Sequence, residues 1–294
     1  MGKRLTGEQI ATFRRDGVVF PLRILSAAEA EGHRAALEAV EASRAGRLPP
    51  AMNAKPHLLL PWLWQLVHHA AILDAVEDLL GPDLLCFGTS FIIKNGPSDR
   101  YVTWHQDQTH WGLTEPRAVT AWLALSASDT SNGGMRMLPG SNRSILPHRD
   151  NGDRQNMLGR REEVLAEVDE AAAIDITLAP GEMSLHDPLI VHGSPPNRSA
   201  GRRIGFAIRY IPADIGQRDG MRNYATLVRG REHGTFALEQ PPQAAFHPDA
   251  VRHHAQSIRH GMAVIFGRPG PGTGAAPGNA PGNAPGAAPD EAGR

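Results

Sequence analysis

The chain has 294 residues, of which 41% are hydrophobic and 21% are charged, a composition typical of a soluble globular protein. Its formal net charge of -1 lacks the basic excess on which nucleic-acid binding depends. The single cysteine, Cys86, excludes an intramolecular disulfide and a cysteine-based zinc site. No stretch approaches the roughly 18 apolar residues that a membrane span needs, and the N-terminus leads directly into a helical pattern, so we expect a cytoplasmic protein.

The first part of the chain has the pattern of helices. Thr6 and Ser26 each open a capping-box pattern followed by apolar residues at helical spacing. The segment 17–21 between them predicts a short strand. A third helix is predicted over 61–80, because apolar residues recur there at helical spacing until Gly81-Pro82 ends the pattern.

Beyond Leu84 the pattern changes to short strands separated by Gly, Pro, Asn and Asp. About eight strands after a helical region predict a mainly β protein, a double-stranded β-helix of the cupin-like jelly-roll type flanked by α-helices. The predicted strands are 84–94, 101–108, 119–126, 135–138, 174–178, 182–185, 190–194 and 203–211.

We expect one domain over residues 1–267. It would comprise a helical preface to about residue 83, a jelly-roll core over about 84–211 and a C-terminal extension over 212–267. The polar segment 156–170 interrupts the strands and is interpreted as a loop or short-helix insertion over the mouth of the site. Residues 268–294 are rich in Gly, Pro and Ala and predict a disordered tail.

Histidine and aspartate two residues apart are typical of iron sites, but with fourteen histidines chance alone gives about an even probability of one such pair. The segment 247–249 contains a proline and is a poor candidate for an interior strand. The segment 148–150 runs into Asn151-Gly152 and is interpreted as a loop. Only His105 and Asp107 lie in a run with strong strand propensity.

In an extended strand His105 and Asp107 would project to the same side, since successive side chains alternate faces. Two histidines and one carboxylate on one side of an ion form the facial triad of non-haem Fe(II) oxygenases. The third ligand would come from a distant strand. His186 and His192 are both candidates, because a separation of six residues places them on one face.

A returning strand over 203–211 has two different faces. Period two places Ile204, Phe206, Ile208 and Tyr210 on one side and Arg203, Gly205, Ala207 and Arg209 on the other. Small residues beside arginines are typical of the wall of a polar cavity. Arg203 would point inward at a carboxylate, which its planar guanidinium can bind through paired hydrogen bonds.

These motifs, taken in order, resemble the phytanoyl-CoA dioxygenase family of Fe(II)- and 2-oxoglutarate-dependent oxygenases over about residues 84–211. The resemblance implies that His105, Asp107 and His192 bind iron, and it favours His192 over His186 because Gly193-Ser194 follows. It also implies roles at the 2-oxoglutarate site: Arg203 and Ser194 would hold the distal carboxylate, Trp122 would line the pocket, and Asn95 would lie near the cosubstrate. The motifs are Trp104-His105-Gln106-Asp107, Ala121-Trp122, Asn132-Gly133-Gly134, Leu138-Pro139-Gly140-Ser141, His192-Gly193-Ser194 and Arg203.

The same resemblance implies that O2 and 2-oxoglutarate are consumed, that succinate and carbon dioxide are released, and that the resulting oxidant abstracts hydrogen. Halogenases of the family replace the carboxylate ligand with Ala or Gly so that chloride can bind. Because Asp107 is present, we expect hydroxylation of an unactivated C–H bond of a small organic substrate, in secondary or specialised metabolism.

Two alternatives stay open. The same oxidant could serve desaturation, cyclisation or bond cleavage, or the chain could be a non-catalytic cupin-like metal- or ligand-binding protein. An inward Arg203 argues against the second alternative, since a binder has no need of a second organic acid. The substrate is either a free small molecule or a carrier-bound acyl or aminoacyl group. We expect a monomer or homodimer with no nucleic-acid or membrane partner.

Overall fold

The computed structural model describes residues 2–218, 220 and 222–266, so the tail predicted over 268–294 lies outside the described residues. Its helices are α1 Gly7–Asp16, α2 Ala27–Ala42, α3 Pro61–Val67, α4 Ala70–Leu80 and α5 Pro248–Phe266. Its strands are β1 Val18–Arg23, β2 Leu84–Lys94, β3 Val102–His105, β4 Val119–Ala124, β5 Met135–Met137, β6 His148–Asp150, β7 Glu162–Val164, β8 Ile174–Ile176, β9 Glu182–His186, β10 His192–Ser194, β11 Arg203–Pro212, β12 Tyr224–Arg229 and β13 Ala237–Leu238.

The helical preface largely follows the sequence prediction. Thr6 and Ser26 each accept a hydrogen bond from the third residue of the helix that they cap, so both predicted capping boxes are confirmed. The single helix predicted over 61–80 is wrong. His69 has an extended backbone, with ψ of 121°, and this divides the segment into α3 and α4.

Two antiparallel sheets form the body of the protein, which confirms the prediction of a jelly-roll type. The larger sheet has the order β1-β9-β4-β11-β2-β12-β13, in which only the β12–β13 pair is parallel. The smaller sheet has the order β3-β10-β5-β8. An apolar cluster that joins Trp122 and Ala207 of the larger sheet to Met135 and Met137 of the smaller one fills the space between them.

The two faces of β11 differ as predicted. Phe206, Ile208 and Tyr210 belong to the large apolar core that packs the sheet against the helices. Arg203 and Ala207 lie on the opposite face, where they meet Trp122. Period-two alternation therefore places β11 with one side in the core and the other toward the smaller sheet.

The segment 148–150 is a correction to the sequence analysis. It is not a loop but the strand β6, which pairs with β7 to form a separate two-stranded ribbon. Within the segment 156–170 the structure has β7 and no helix, and Thr103 of β3 donates to the Glu162 carbonyl at 2.6 Å. The insertion therefore packs along β3.

Candidate metal centre and cosubstrate site

The pairing of β3 with β10 brings the two histidines of the predicted triad together. His192 lies directly opposite His105 in this antiparallel pair, and the ring centroids are 4.1 Å apart. Asp107 completes a cluster in which one potential ligand atom from each of the three residues lies within 4.8 Å of the others. Among the described residues, no other group of three such side chains meets this criterion.

Asp107 reaches this cluster by a different route from the predicted one. Strand β3 ends at His105, and Asp107 begins a short 3-10 helix that extends to His110. Alternation along a continuous strand is therefore not what brings the two side chains together. The turn still leaves Asp107 Oδ1 only 3.6 Å from His105 Nε2.

Backbone carbonyls orient both histidines for metal binding. Nδ1 of His105 donates to the carbonyl of Thr103 at 2.9 Å, and Nδ1 of His192 donates to the carbonyl of Ile190 at 3.0 Å. These bonds select the tautomer in which Nε2 is the free lone-pair donor. Both Nε2 atoms are therefore available for the same ion.

The carboxylate of Asp107 has a second set of contacts on its other oxygen. Thr120 donates to Oδ2 at 3.1 Å, and His186 Nε2 lies 3.8 Å from the same atom. His186 is thus beside the triad and not part of it, and its buried Nδ1 has no hydrogen-bond partner in the part of the chain that the structure describes. The contacts fix the orientation of Asp107, as partners of metal-binding carboxylates do.

The three side chains of the cluster have shifted pKa values: burial acts to lower the pKa of His105, but its contact with Asp107 raises that pKa above the ordinary value. Burial acts to raise the pKa of Asp107, but its contacts with His105 and His186 hold that pKa well below the usual range. Burial, assisted by the nearby His105, lowers the pKa of His192 well below its ordinary value. An ionised carboxylate and a neutral imidazole are the forms that bind Fe(II).

The two other His-x-Asp pairs lie elsewhere. Nε2 of His148 accepts from the backbone of Gln106, whereas Asp150 forms an ion pair with Arg161. His247 directly precedes α5 and is partly exposed, and Asp249 in the first turn of α5 is exposed. Within the described residues, neither pair belongs to a group of three potential metal ligands.

Arg203 is buried on the inner face of the larger sheet. Its guanidinium lies 5.4 Å from the Trp122 ring centroid, and Nη1 donates to the Gly133 carbonyl at 2.8 Å. Burial lowers the pKa of Arg203 to about 10, so it stays charged at neutral pH. No carboxylate of the described residues pairs with it, and its buried Nε has no hydrogen-bond partner among them.

Lys94 is a site residue that the sequence analysis missed. It lies opposite Arg203 in the β2–β11 pair and is buried, and its Nζ donates to the hydroxyl of Ser194 at 2.6 Å. Burial, together with the charge of Arg203, lowers the pKa of Lys94 to about 6. A lysine directly after the apolar run Phe91-Ile92-Ile93, at the end of β2, was the available signal, since lysine is almost never buried without an anionic partner.

The structure corrects the expectation for Asn95. This residue is exposed, and its Oδ1 accepts from Arg202, which in turn pairs with Glu41 of α2. Adjacent strand residues point to opposite faces, so it is Lys94 and not Asn95 that faces the cavity.

A facial His-Asp-His triad between two sheets, with buried cations beside it, defines the class of 2-oxoglutarate-dependent non-haem iron oxygenases. The comparisons identify the branch. The model of the phytanoyl-CoA dioxygenase (PhyH) family matches residues 13–205, and the chain belongs to that family. Family membership and the His-Asp-His donor set thus indicate Fe(II) as the cofactor and 2-oxoglutarate and O2 as the cosubstrates.

Several known proteins are similar to this chain. A probable alpha-ketoglutarate-dependent hypophosphite dioxygenase of Stutzerimonas stutzeri is 30% identical over 185 residues, which cover 60% of this chain and 63% of that protein. Human peroxisomal phytanoyl-CoA dioxygenase is 25% identical, with 57% and 52% covered. The chain thus spans about half to two thirds of these relatives.

Solved structures match over more of the chain. The apo form of the non-heme monooxygenase ThoJ has a TM-score of 0.76 at 35% identity and covers 87% of this chain and 97% of its own. The alpha-ketoglutarate-dependent carbocyclase SnoK from nogalamycin biosynthesis has a TM-score of 0.58 at 25% identity and covers 74% of this chain and 88% of its own.

Among the described residues, no helix has the length and apolar character needed to cross a membrane.

Proposed function

We propose that this protein hydroxylates an unactivated C–H bond of a small organic substrate, using Fe(II), 2-oxoglutarate and O2. The observation that carries the proposal is the complete triad of His105, Asp107 and His192 beside Lys94 and Arg203, two buried basic side chains with no acidic partner in the described part of the chain. A triad alone would suit any metal-binding protein. The buried cations add a place for an organic acid.

Two groups of residues would bind the metal and the cosubstrate, at opposite ends of one cavity. His105, Asp107 and His192 would hold Fe(II), which together with 2-oxoglutarate and O2 supplies the hydrogen-abstracting oxidant. Arg203 and Lys94 would hold the distal carboxylate of 2-oxoglutarate, with Ser194 fixing the ammonium of Lys94.

Burial of these groups supports turnover as well as binding. The imidazoles of His105 and His192 are only 4% and 6% exposed, which limits the access of water to the oxidation site. Exclusion of water prevents side reactions of a strong oxidant. Trp122 would form one wall of the cosubstrate end, since its ring lies against the guanidinium of Arg203.

The similar proteins support small-molecule oxidation. They include ectoine dioxygenases, one of which, from Nocardia farcinica, is 25% identical over 65% of this chain and 72% of its own length. The similarity to the SnoK carbocyclase from nogalamycin biosynthesis favours a role in specialised metabolism. The similarity to human phytanoyl-CoA dioxygenase supports a carrier-bound acyl group as the second possible substrate.

Cyclisation by the same oxidant is the second candidate function, favoured by the similarity to the carbocyclase. Asp107 does not separate it from hydroxylation, because both reactions use the complete triad. The oxygen content of the product distinguishes the two reactions, since hydroxylation adds one oxygen atom whereas oxidative cyclisation removes two hydrogens.

The first experiment is an assay for 2-oxoglutarate turnover. The purified protein with Fe(II), ascorbate and 2-oxoglutarate should release succinate, and a substrate should stimulate that release. Arg203→Lys provides the matched variant, since it keeps the charge but loses the planar fork. Failure of the wild type to bind 2-oxoglutarate or release succinate would leave only a metal-binding role.

A further inference from the structure

Arg209 lies on the same inner face of β11 as Arg203 but at the other end of the cavity. The two arginines are six positions apart in sequence, which corresponds to about 20 Å along a strand. Arg209 is directly opposite Thr120 of β4, whose hydroxyl contacts Asp107. Arg209 is therefore next to the metal centre on the side away from Arg203.

The charge of Arg209 has no acidic partner in the described part of the chain. Its Nη1 donates to Ser90 Oγ at 3.0 Å, and its guanidinium lies 6.0 Å from the Trp111 ring centroid. By contrast, Arg229 on the outer side pairs with Asp74 and Glu77. Asp107 attracts Arg209 at longer range, but that carboxylate belongs to the triad.

The structure has open space beside this guanidinium. All residues of β11 are buried except Arg209, which is partly exposed. Directly opposite it on β2 is Gly88, where an added Cβ would meet no atom within 4 Å. Gly88 shares the inner face with Ser90 and Lys94, so this space is part of the cavity.

A second polar group borders the same region. His186 pairs with Thr120 in the β4–β9 ladder, so the row across the sheet runs from Gly88 through Arg209 and Thr120 to His186. The buried Nδ1 of His186 has no partner among the described residues. His186 and Thr120 are both buried, and Thr120 is engaged with Asp107, so Arg209 is the charged group of this row that reaches the open space.

We propose that Arg209, held by Ser90, binds an anionic group of the organic substrate. This inference rests on the proposed function and names its substrate class: a molecule with an oxyanion, such as a carboxylate or a phosphonate, at one end and the oxidised C–H bond toward the iron. A planar guanidinium binds such groups through paired hydrogen bonds. Because Arg203 and Lys94 serve the cosubstrate, the protein would bind two organic anions on opposite sides of one metal centre.

The test measures binding of small probes to the protein loaded with Zn(II), a redox-inactive stand-in for iron, and saturating 2-oxoglutarate. Ligand-observed NMR compares butyrate and phenylacetate with their primary amides and with propylphosphonate. The wild type should bind the anions at least about tenfold more tightly than the amides, a factor that corresponds to roughly 1.4 kcal/mol. The stronger class among the anions identifies the oxyanion as carboxylate or phosphonate.

Arg209→Gln should abolish the preference for anions, Arg209→Lys should keep part of it, and Ser90→Ala should weaken it. Arg117→Gln is the control, since Arg117 forms exposed ion pairs with Glu115 and Asp214. Affinity for 2-oxoglutarate should stay unchanged in all four variants. Equal binding of acids and amides, no anion binding by the loaded wild type, or an unchanged preference in Arg209→Gln would overturn the inference. Failure of the wild-type protein to bind 2-oxoglutarate would instead overturn the proposed function.

Discussion

Lys94 and Arg203 face each other across β2 and β11, and both donate to the carbonyl oxygen of Gly133, at 3.3 Å and 2.8 Å. Two buried basic groups side by side are unfavourable as two charges unless an anion joins them, and burial together with the charge of Arg203 accordingly lowers the pKa of Lys94 to about 6. The distal carboxylate of 2-oxoglutarate is the anion that the family supplies. This relationship leads to the first two predictions.

The first prediction concerns affinity for 2-oxoglutarate. Arg203→Lys and Lys94→Met should each weaken binding by about tenfold to a hundredfold, because each removes roughly 1.5–3 kcal/mol of charge-assisted hydrogen bonding. Arg202→Lys is the control, since Arg202 points outward to Glu41. Titration calorimetry with Zn(II)-loaded protein measures the effect. Equal losses at 202 and 203 would mean that the register of β11 is wrong.

The second prediction concerns the uptake of a proton when 2-oxoglutarate binds. With its pKa lowered to about 6, Lys94 is mostly neutral at pH 7.5, and a bound carboxylate would favour its charged form. Binding of 2-oxoglutarate at pH 7.5 should therefore take up a proton. Calorimetry in buffers of different ionisation enthalpy measures this uptake, which should vanish in Lys94→Met. Equal proton uptake in both proteins would assign it to another group.

The same shift makes stability depend on pH. The folded-state pKa of Lys94 lies below the ordinary value of 10.5, so unfolding takes up a proton between about pH 6 and 10.5. The penalty for burying Lys94 is thus largest below pH 6 and decreases as pH rises through that window. Without 2-oxoglutarate, the gain in unfolding free energy from Lys94→Met should be greater at pH 6 than at pH 10. Denaturant unfolding at both pH values tests this.

The third prediction concerns the triad. His105→Ala, Asp107→Ala and His192→Ala should each abolish turnover and weaken Fe(II) binding. Asp150→Ala and Asp249→Ala should leave both unchanged, because those carboxylates lie outside the cluster. Anaerobic iron titration followed by a succinate assay distinguishes the two groups.

His186 is the informative residue beside the triad. Its contact with Asp107 orients a ligand without replacing it, so His186→Ala should keep iron binding at an affinity lowered by about tenfold or more. Full activity in His192→Ala with loss in His186→Ala would move the third ligand to 186.

The fourth prediction concerns Gly205. A Cβ at this position would lie 1.9 Å from the Trp122 ring, so Gly205→Ala must displace the ring on which Arg203 rests. Overpacking of this kind costs about 1–3 kcal/mol of stability. We expect a lower melting temperature together with weaker binding of 2-oxoglutarate. Gly88→Ala is the control, because open space surrounds that Cβ.

The sequence predicted the site better than it predicted the route of the chain through it. Motif order brought together His105, Asp107 and His192, but the turn after His105 was missed because the strand pattern of residues 101–104 was extended through Asp107, although Asp is disfavoured in strands. The prediction placed Asn95 near the cosubstrate, whereas its neighbour Lys94 lies there. Which residues of β2 face inward depends on the register of β2 with β11, and that register cannot be read from the sequence. The break between α3 and α4 has no Gly or Pro to mark it.

The last prediction concerns the outcome of the reaction. Asp107 occupies a metal position and is held there by Thr120, so chloride finds neither an open position nor a favourable charge in the completed triad. Turnover in the presence of chloride and heavy-isotope oxygen gas should therefore give a product whose mass includes one heavy oxygen atom. Mass spectrometry decides between three results. A chlorine isotope pattern would contradict the role of Asp107, and a loss of two hydrogens without added oxygen would favour cyclisation or desaturation. Asp107→Gly should not convert the enzyme into a halogenase, because Thr120 and His186 are positioned around a carboxylate and would face the vacated position with unpaired polar groups.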